Sequence, residues 1–139
     1  MKKILVAGAG HGGLVAAAKL SDAGYDVTVL EKGEEGTLGH DWEDGFGLAN
    51  LAKVLGIKTE ELPSDFWRPR GDGAFFSPSK RKKIVVHYGP TGQRVVWRKT
   101  LISMLLAHAV NHGVRIEYGV EVLAPVVENN RVTGLETSA

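Results

Sequence analysis

The chain has 139 residues, 43% hydrophobic and 24% charged, the profile of one ordinary soluble globular domain. With 17 Lys and Arg against 16 Asp and Glu the net charge is +1, so nothing at the level of the whole chain points to nucleic acid or another polyanion. There is no cysteine, which excludes a disulfide framework, a thiolate zinc site and a thiol nucleophile, and fits a cytoplasmic protein.

Lys2 and Lys3 precede the apolar run Ile4 to Ala7, which is too short for a secretory leader and is cut off by glycine. No stretch reaches the roughly 18 apolar residues of a membrane span. The run reads instead as a strand buried on both faces of a parallel sheet. Residues 11–23 read as a helix with Leu14, Ala17, Ala18 and Leu20 on one side and Gly24 as its stop. Residues 25–30 form the next strand, and strand, helix and strand make one βαβ unit. Residues 32–47 read as a loop. LANLAKVL at 48–55 is a short helix ending at Gly56, and 63–80, with three prolines, is an irregular excursion. Residues 84–88 and 93–97 read as a hairpin closed by Gly89-Pro90-Thr91-Gly92. Leu101, Met104, Leu105, His108, Ala109 and His112 follow a helical period over 99–112, and Gly113 ends it. Residues 114–118 supply a third parallel strand. Residues 121–128 and 131–136 flank Asn129-Asn130, a good two-residue turn because Asn tolerates positive φ.

Where the first strand meets the first helix, Gly8, Gly10 and Gly13 have the spacing G-x-G-x-x-G, with Gly12 a further glycine. The spacing alone is weak, but a strand before it and a helix after it give each glycine a task. Gly8 permits the tight turn, Gly10 lets a pyrophosphate approach bare backbone, and Gly13 lets the helix pack on the strand. The helix N-terminus then meets the phosphates with unpaired N–H groups and its dipole. Glu31, 18 residues past Gly13 at the end of the second strand, stands where a ribose diol would lie and repels a 2′-phosphate. These rules leave NAD and FAD both open.

The stretch ILVAGAGHGGLVAAAKLSDAGYDVTVLEK resembles the N-terminal fingerprint of the FAD-dependent oxidoreductases of the glutathione-reductase-like fold, in which a basic residue such as Lys32 often follows the glutamate. VVWRKTLISMLLAHAVNHGVRIEYGVEV resembles a segment of flavin monooxygenases and geranylgeranyl reductases through Arg98, Leu101, Leu105, Ala109 and Gly113. The resemblance implies that Arg98 contacts the FAD and that Val122 touches the adenine through its backbone. It also implies that Gly45, in the loop GTLGHDWEDG, approaches the cofactor. The reductases usually carry arginine and cysteine shortly before that glycine, where this chain has Asp41 and Trp42. The expectation is therefore an α/β, Rossmann-like three-layer FAD/NAD(P)-binding fold, with a parallel sheet, a β-meander and an inserted antiparallel hairpin. Residues 1–139 form one FAD-binding module, with 60–97 an excursion and hairpin toward the substrate side. The resembling families continue well past this point, so the chain is expected to be an N-terminal portion. In the intact enzyme the substrate would be a small or isoprenoid-like molecule. The rival readings are an NAD-binding dehydrogenase module and a non-catalytic interaction scaffold.

Other signals read as structural. Lys80-Arg81-Lys82-Lys83 could meet nucleic acid, anionic lipid or a phosphorylated substrate, but reads as a solvated guard on a strand edge. His108 and His112 have zinc-chelate spacing without an obvious third ligand and read as packing residues. His40 and Asp41 read as polar loop residues rather than active-site groups, and no nucleophile–base constellation is present.

Overall fold

The computed structural model describes residues 2–64, 67–69, 71–87 and 93–138. The chain divides into two compact units, Met1–His40 with Lys99–Ala139, and Asp41–Arg98.

The first unit is built on a three-stranded parallel sheet. β1 (Lys3–Ala7), β2 (Asp26–Glu31) and β8 (Arg115–Tyr118) lie in the order β1-β2-β8, so the central strand is the second in sequence. Leu5 pairs with Thr28, and Val29 with Ile116. As the central strand β2 should be the most buried, and Val27, Val29 and Leu30 are. α1 (His11–Asp22) connects β1 to β2 and buries Leu14, Ala17 and Ala18. α3 (Arg98–Asn111) precedes β8 and buries Leu101, Ile102, Leu105 and Ala109. Both helices stop at glycines in the left-handed region, Gly24 at φ 86° and Gly113 at φ 84°. β9 (Val122–Glu128) and β10 (Arg131–Thr137) form an antiparallel hairpin. Its turn residues Asn129 and Asn130 have φ 48° and 59°, the conformation that a type I′ turn needs.

Two histidines depart from the expected packing role. His112 is exposed and its Nδ1 bonds the Asp22 carboxylate at the end of α1, while the neighbouring Ser21 hydroxyl donates to the His112 carbonyl at 2.5 Å. His108 is half-buried with its ring 4.3 Å from that of His112. Burial, then the neighbouring His112, pushes the His108 pKa down, against a smaller upward pull from Asp22. The apolar stripe instead includes Ile102. No group of three or more potential ligands able to hold a metal is found among the described residues.

The second unit corrects three local expectations. Glu43–Gly47, expected as loop, is a strand, β3, which runs into α2 (Leu48–Leu55). A short 3₁₀ turn follows at Thr59–Glu61. The stretch expected to be irregular contains β4 (Trp67–Pro69) and β5 (Gly73–Phe76). The expected hairpin is re-paired: β6 (Lys83–Val86) pairs with β5, and β7 (Gln93–Trp97) lies between β3 and β4. The turn expected at 89–92 lies outside the described residues. Periodicity identifies a strand but not its partner, which burial selects: Val96 on the central β7 is fully buried, while Ile84 on β6 is 68% exposed. Leu48, Leu51 and Ala52 of α2 complete this core, and Gly56 at φ 70° ends the helix as expected.

Candidate functional site

Four glycines meet at the end of β1, and the structure separates their causes. Gly8 has φ 88°, a conformation that costs any residue with a Cβ, and its N–H donates to the Leu30 carbonyl at 2.8 Å. Gly13 is fixed by packing, because a Cβ there would stand 2.1 Å from the Gly8 carbonyl oxygen. Gly10 is required by neither cause. Its backbone, at φ −77° and ψ 177°, suits any residue, and a Cβ built on it meets nothing within 4 Å. A Cβ on Gly12 likewise meets nothing within 4 Å.

Gly10 is also the N-cap of α1, and no side chain caps the helix. The Leu14 N–H returns to the Gly10 carbonyl at 3.0 Å, so the amides of residues 11–13 begin the helix without an intrahelical acceptor. No acidic residue occupies the first turn to oppose an anion.

Glu31 ties this loop to the end of β2. One carboxylate oxygen accepts the Ala9 N–H at 2.7 Å and the other accepts the Gly33 N–H at 2.7 Å. Each oxygen has further acceptor capacity, so the two contacts orient the carboxylate without exhausting it. The Glu31 carbonyl accepts the Val120 N–H at 3.0 Å, and the Gly33 carbonyl accepts the Gly119 N–H at 3.1 Å. These bonds bring the start of β9 beside the glycine loop. The result is a cleft of about 250 Å³ lined by Ala7, Gly8, Leu30, Glu31, Lys32, Val120, Glu121 and Val122. Burial, with Glu35 and Glu31 adding to it, raises the Tyr118 phenol, which stays protonated at neutral pH. Ligand pockets for whole drug-sized molecules run from about 300 Å³ upward, so this cleft suits half of a dinucleotide.

Of the expected site residues, Gly8, Glu31, Lys32 and Val122 line this one cleft, with Gly10, Gly12 and Gly13 on the adjoining turn. Lys32 is exposed there. Gly45 and Arg98 belong to the second unit. Gly45 is exposed on β3, paired with Val95. Arg98 opens α3, donates from Nη1 to Asp44 at 2.7 Å, and holds its guanidinium 5.6 Å from the Trp42 ring centre. Its N–H donates to the Trp42 carbonyl at 3.0 Å. His40 and Asp41 are both exposed. Sequence reasoning missed the backbone contributors Ala9, Gly33 and Val120. Only Gly33 left a signal: a Cβ there would come within 3.2 Å of the Glu31 carboxylate.

Residues 6–44 match the family described as NAD(P)-binding Rossmann-like domain. Over 97% of its length the chain is 30% identical to YetM of Bacillus subtilis (strain 168), named as an FAD-dependent monooxygenase, of which it spans 38%. A 33-residue segment is 67% identical to the L-glutamate oxidase precursor of Streptomyces diastatochromogenes, matching 5% of that protein. The structure of a geranylgeranyl bacteriochlorophyll reductase-like protein from Thermoplasma acidophilum superposes on 99% of the chain with a TM-score of 0.72 at 22% identity, and the chain covers 35% of it. The chain thus carries the Rossmann-like dinucleotide-binding fold, and it spans well under half the length of these relatives. No helix among the described residues is long and apolar enough to cross a membrane.

Proposed function

We propose that residues 1–139 bind FAD through its ADP half, as the cofactor-binding part of a flavin-dependent oxidoreductase. The observation that carries this reading is Gly10. Neither its backbone angles nor its neighbours call for glycine, and it stands at the N-cap of α1 with open space where a Cβ would be. A ligand phosphate resting on bare backbone is a reason to keep that space empty. The amides of residues 11–13 meet the pyrophosphate, Glu31 accepts the ribose hydroxyls and rejects a 2′-phosphate, and Val122 flanks the adenine. Lys32 adds positive charge at the rim. Arg98 and Gly45 are assigned to the phosphate or flavin side by the resemblance alone. Asp44 takes one donor of the Arg98 guanidinium, and the fork has further donors for a phosphate or flavin oxygen.

When bound, the flavin supplies the electron transfer, and this chain positions it. FAD is favoured over NAD by the 30% identity with an FAD-dependent monooxygenase. NAD remains the second reading, because the family matched at 6–44 is described by NAD(P). The substrate of the intact enzyme is proposed as a small molecule, isoprenoid-like by analogy with the reductase-like neighbour. A cytoplasmic location is part of the proposal, and a sequence without cysteine fits it.

Titration of the purified chain with FAD, NAD and NADP tests the proposal. Saturable FAD binding with weaker NAD and no NADP binding is expected. Gly10→Ala should fold as the parent does and lose at least roughly tenfold in FAD affinity. Preference for NAD selects the second reading, and unchanged FAD affinity in Gly10→Ala removes the phosphate from this loop.

A further inference from the structure

β5 and β6 form a two-stranded sheet of their own. Phe75 pairs with Ile84, Phe76 with Lys83, and Ala74 with Val85. Side chains alternate along a strand, so Phe75 and Ile84 share one face while Phe76, Lys83 and Val85 share the other. Both faces are open: Phe75 is 61% exposed, Phe76 59%, Ile84 68% and Val85 42%. A two-stranded hairpin in water is marginal at best, and an apolar surface this open marks a place where something else binds.

The same hairpin carries an unbalanced charge. Its turn is closed by the Ser77 N–H donating to the Lys82 carbonyl at 2.9 Å and the Lys80 N–H donating to the Ser77 carbonyl at 2.8 Å. Lys80, Arg81, Lys82 and Lys83 are all exposed at this end, beside the two phenylalanines. No acidic residue occurs between Gly73 and Val86. As a guard on a strand edge, four cations need no aromatic residues, yet here they adjoin them on both faces.

We infer that the β5–β6 hairpin docks on an anionic lipid surface. The cations match the headgroup phosphates, and the four apolar side chains enter the boundary between headgroups and acyl chains, with lysine stems reaching back to the charge. A fluid surface takes up apolar residues on both faces of the hairpin at once, with the cations left at its phosphates. Nucleic acid is a poorer match. Phe75 and Phe76 point to opposite faces and cannot form one stacking platform, and Ile84 and Val85 have no π-face.

Flotation of the full chain with phosphatidylcholine vesicles, with and without phosphatidylglycerol, tests the inference. Binding is expected only with phosphatidylglycerol, weakening with salt. Each cation near such a surface should contribute roughly fivefold, so Lys80→Glu with Lys82→Glu should lose at least about 25-fold. Phe75→Ser with Ile84→Ser should also abolish flotation, with circular dichroism reporting that each variant keeps the parent fold. Failure to float with phosphatidylglycerol overturns the inference, as does flotation that either variant leaves intact. Binding of duplex DNA that needs the lysines but not Phe75 and Ile84 would make the site a polyanion patch and overturn it too. So would a lipid-free dimer that Phe75→Ser with Ile84→Ser dissolves.

Discussion

Two of the molecule's clefts, one in each unit, are made of different materials. The cleft beside the glycine loop, about 250 Å³, is lined by main chain and by the Glu31 carboxylate held by two amides, with Lys32 and Glu121 beside them. The cleft of the second unit, about 390 Å³, lies among Glu43, Gly45, Arg68, Asp72 and Phe75. Its polar groups are side chains paired to one another. Glu43 holds Arg68 through both carboxylate oxygens, with Nε to Oε1 at 2.9 Å, and Asp72 bonds the His87 Nδ1 at 2.7 Å. Main-chain donors fixed by strand and helix cost nothing to organise when a ligand arrives. Exposed ion pairs must be broken first and are screened by salt. The first cleft is therefore built for a fixed ligand shape, while the second can be re-tuned by changing side chains without disturbing the backbone.

The sharpest way to break this contrast is a single methyl group in each cleft region. Gly13→Ala places its Cβ 2.1 Å from the Gly8 carbonyl oxygen, and a backbone atom cannot swing aside. α1 must move off β1, at an expected cost of about 2–4 kcal/mol and with loss of dinucleotide binding. Gly71→Ala, where a Cβ meets nothing within 4 Å, should stay within about 0.5 kcal/mol of the parent. Urea unfolding of both variants measures the difference. Equal effects would mean that the glycine loop is no more constrained than the second cleft.

Next in size is Glu31→Gln. The amide keeps one carbonyl acceptor but turns an NH₂ toward either the Ala9 or the Gly33 amide. A lost charge-assisted bond is worth about 1.5–3 kcal/mol, so FAD affinity should fall roughly tenfold or more. Hydrogen exchange should accelerate at one of those two amides. Affinity that falls with both amides still protected would assign Glu31 to ribose alone.

Arg98→Ala should do less to the fold. The pair with Asp44 is about one-third exposed on each side, so its loss should cost under about 1 kcal/mol. A clear fall in FAD affinity at unchanged stability is the expected result, read from a flavin titration beside a thermal melt. Unchanged affinity would leave Arg98 as a local brace for Asp44 and Trp42.

The contrast between clefts is also a contrast in what local sequence can say. β1, its glycines, α1 and β2 follow one another along the chain, and their constraints are local: a positive φ at Gly8, a helix stop at Gly24, an acid at the strand end. Asn129-Asn130 is legible for the same reason. The second unit is held by distant pairings, β3 with β7 across some fifty residues and β4 with β7, which no periodicity encodes. EDGFG reads as loop because glycine and acids disfavour strands in isolation, yet β7 recruits it. His112 follows the apolar period of α3 but lies past the last buried turn, where Asp22 offers it a partner in the solvent. Glu31 was legible as an acid at the right place. Its hold on Ala9 was not, because a main-chain donor leaves no mark on residue identity, and at Gly33 the mark is only the Cβ that is missing.

The smallest effect lies in the second cleft and concerns protons. The bidentate hydrogen bond from Arg68, with its charge adding to it, holds the Glu43 carboxyl below its ordinary value of 4.5, against a smaller upward push from desolvation. A carboxylate depressed in the folded state contributes stability that is complete above the unfolded value and disappears as pH falls through the folded one. Glu43 should therefore remain charged below pH 4.5, and any loss of stability from this pair belongs to that more acidic window. Because the pair stands in water, the melting temperature should hardly register it, and the readout is the carboxyl titration followed by NMR. Arg68→Gln should return the Glu43 midpoint to the ordinary range, and added salt should do part of the same. The protection of the Ala9 and Gly33 amides should not respond to either change. If it does, the two clefts are energetically coupled, and the division into main-chain and side-chain sites fails.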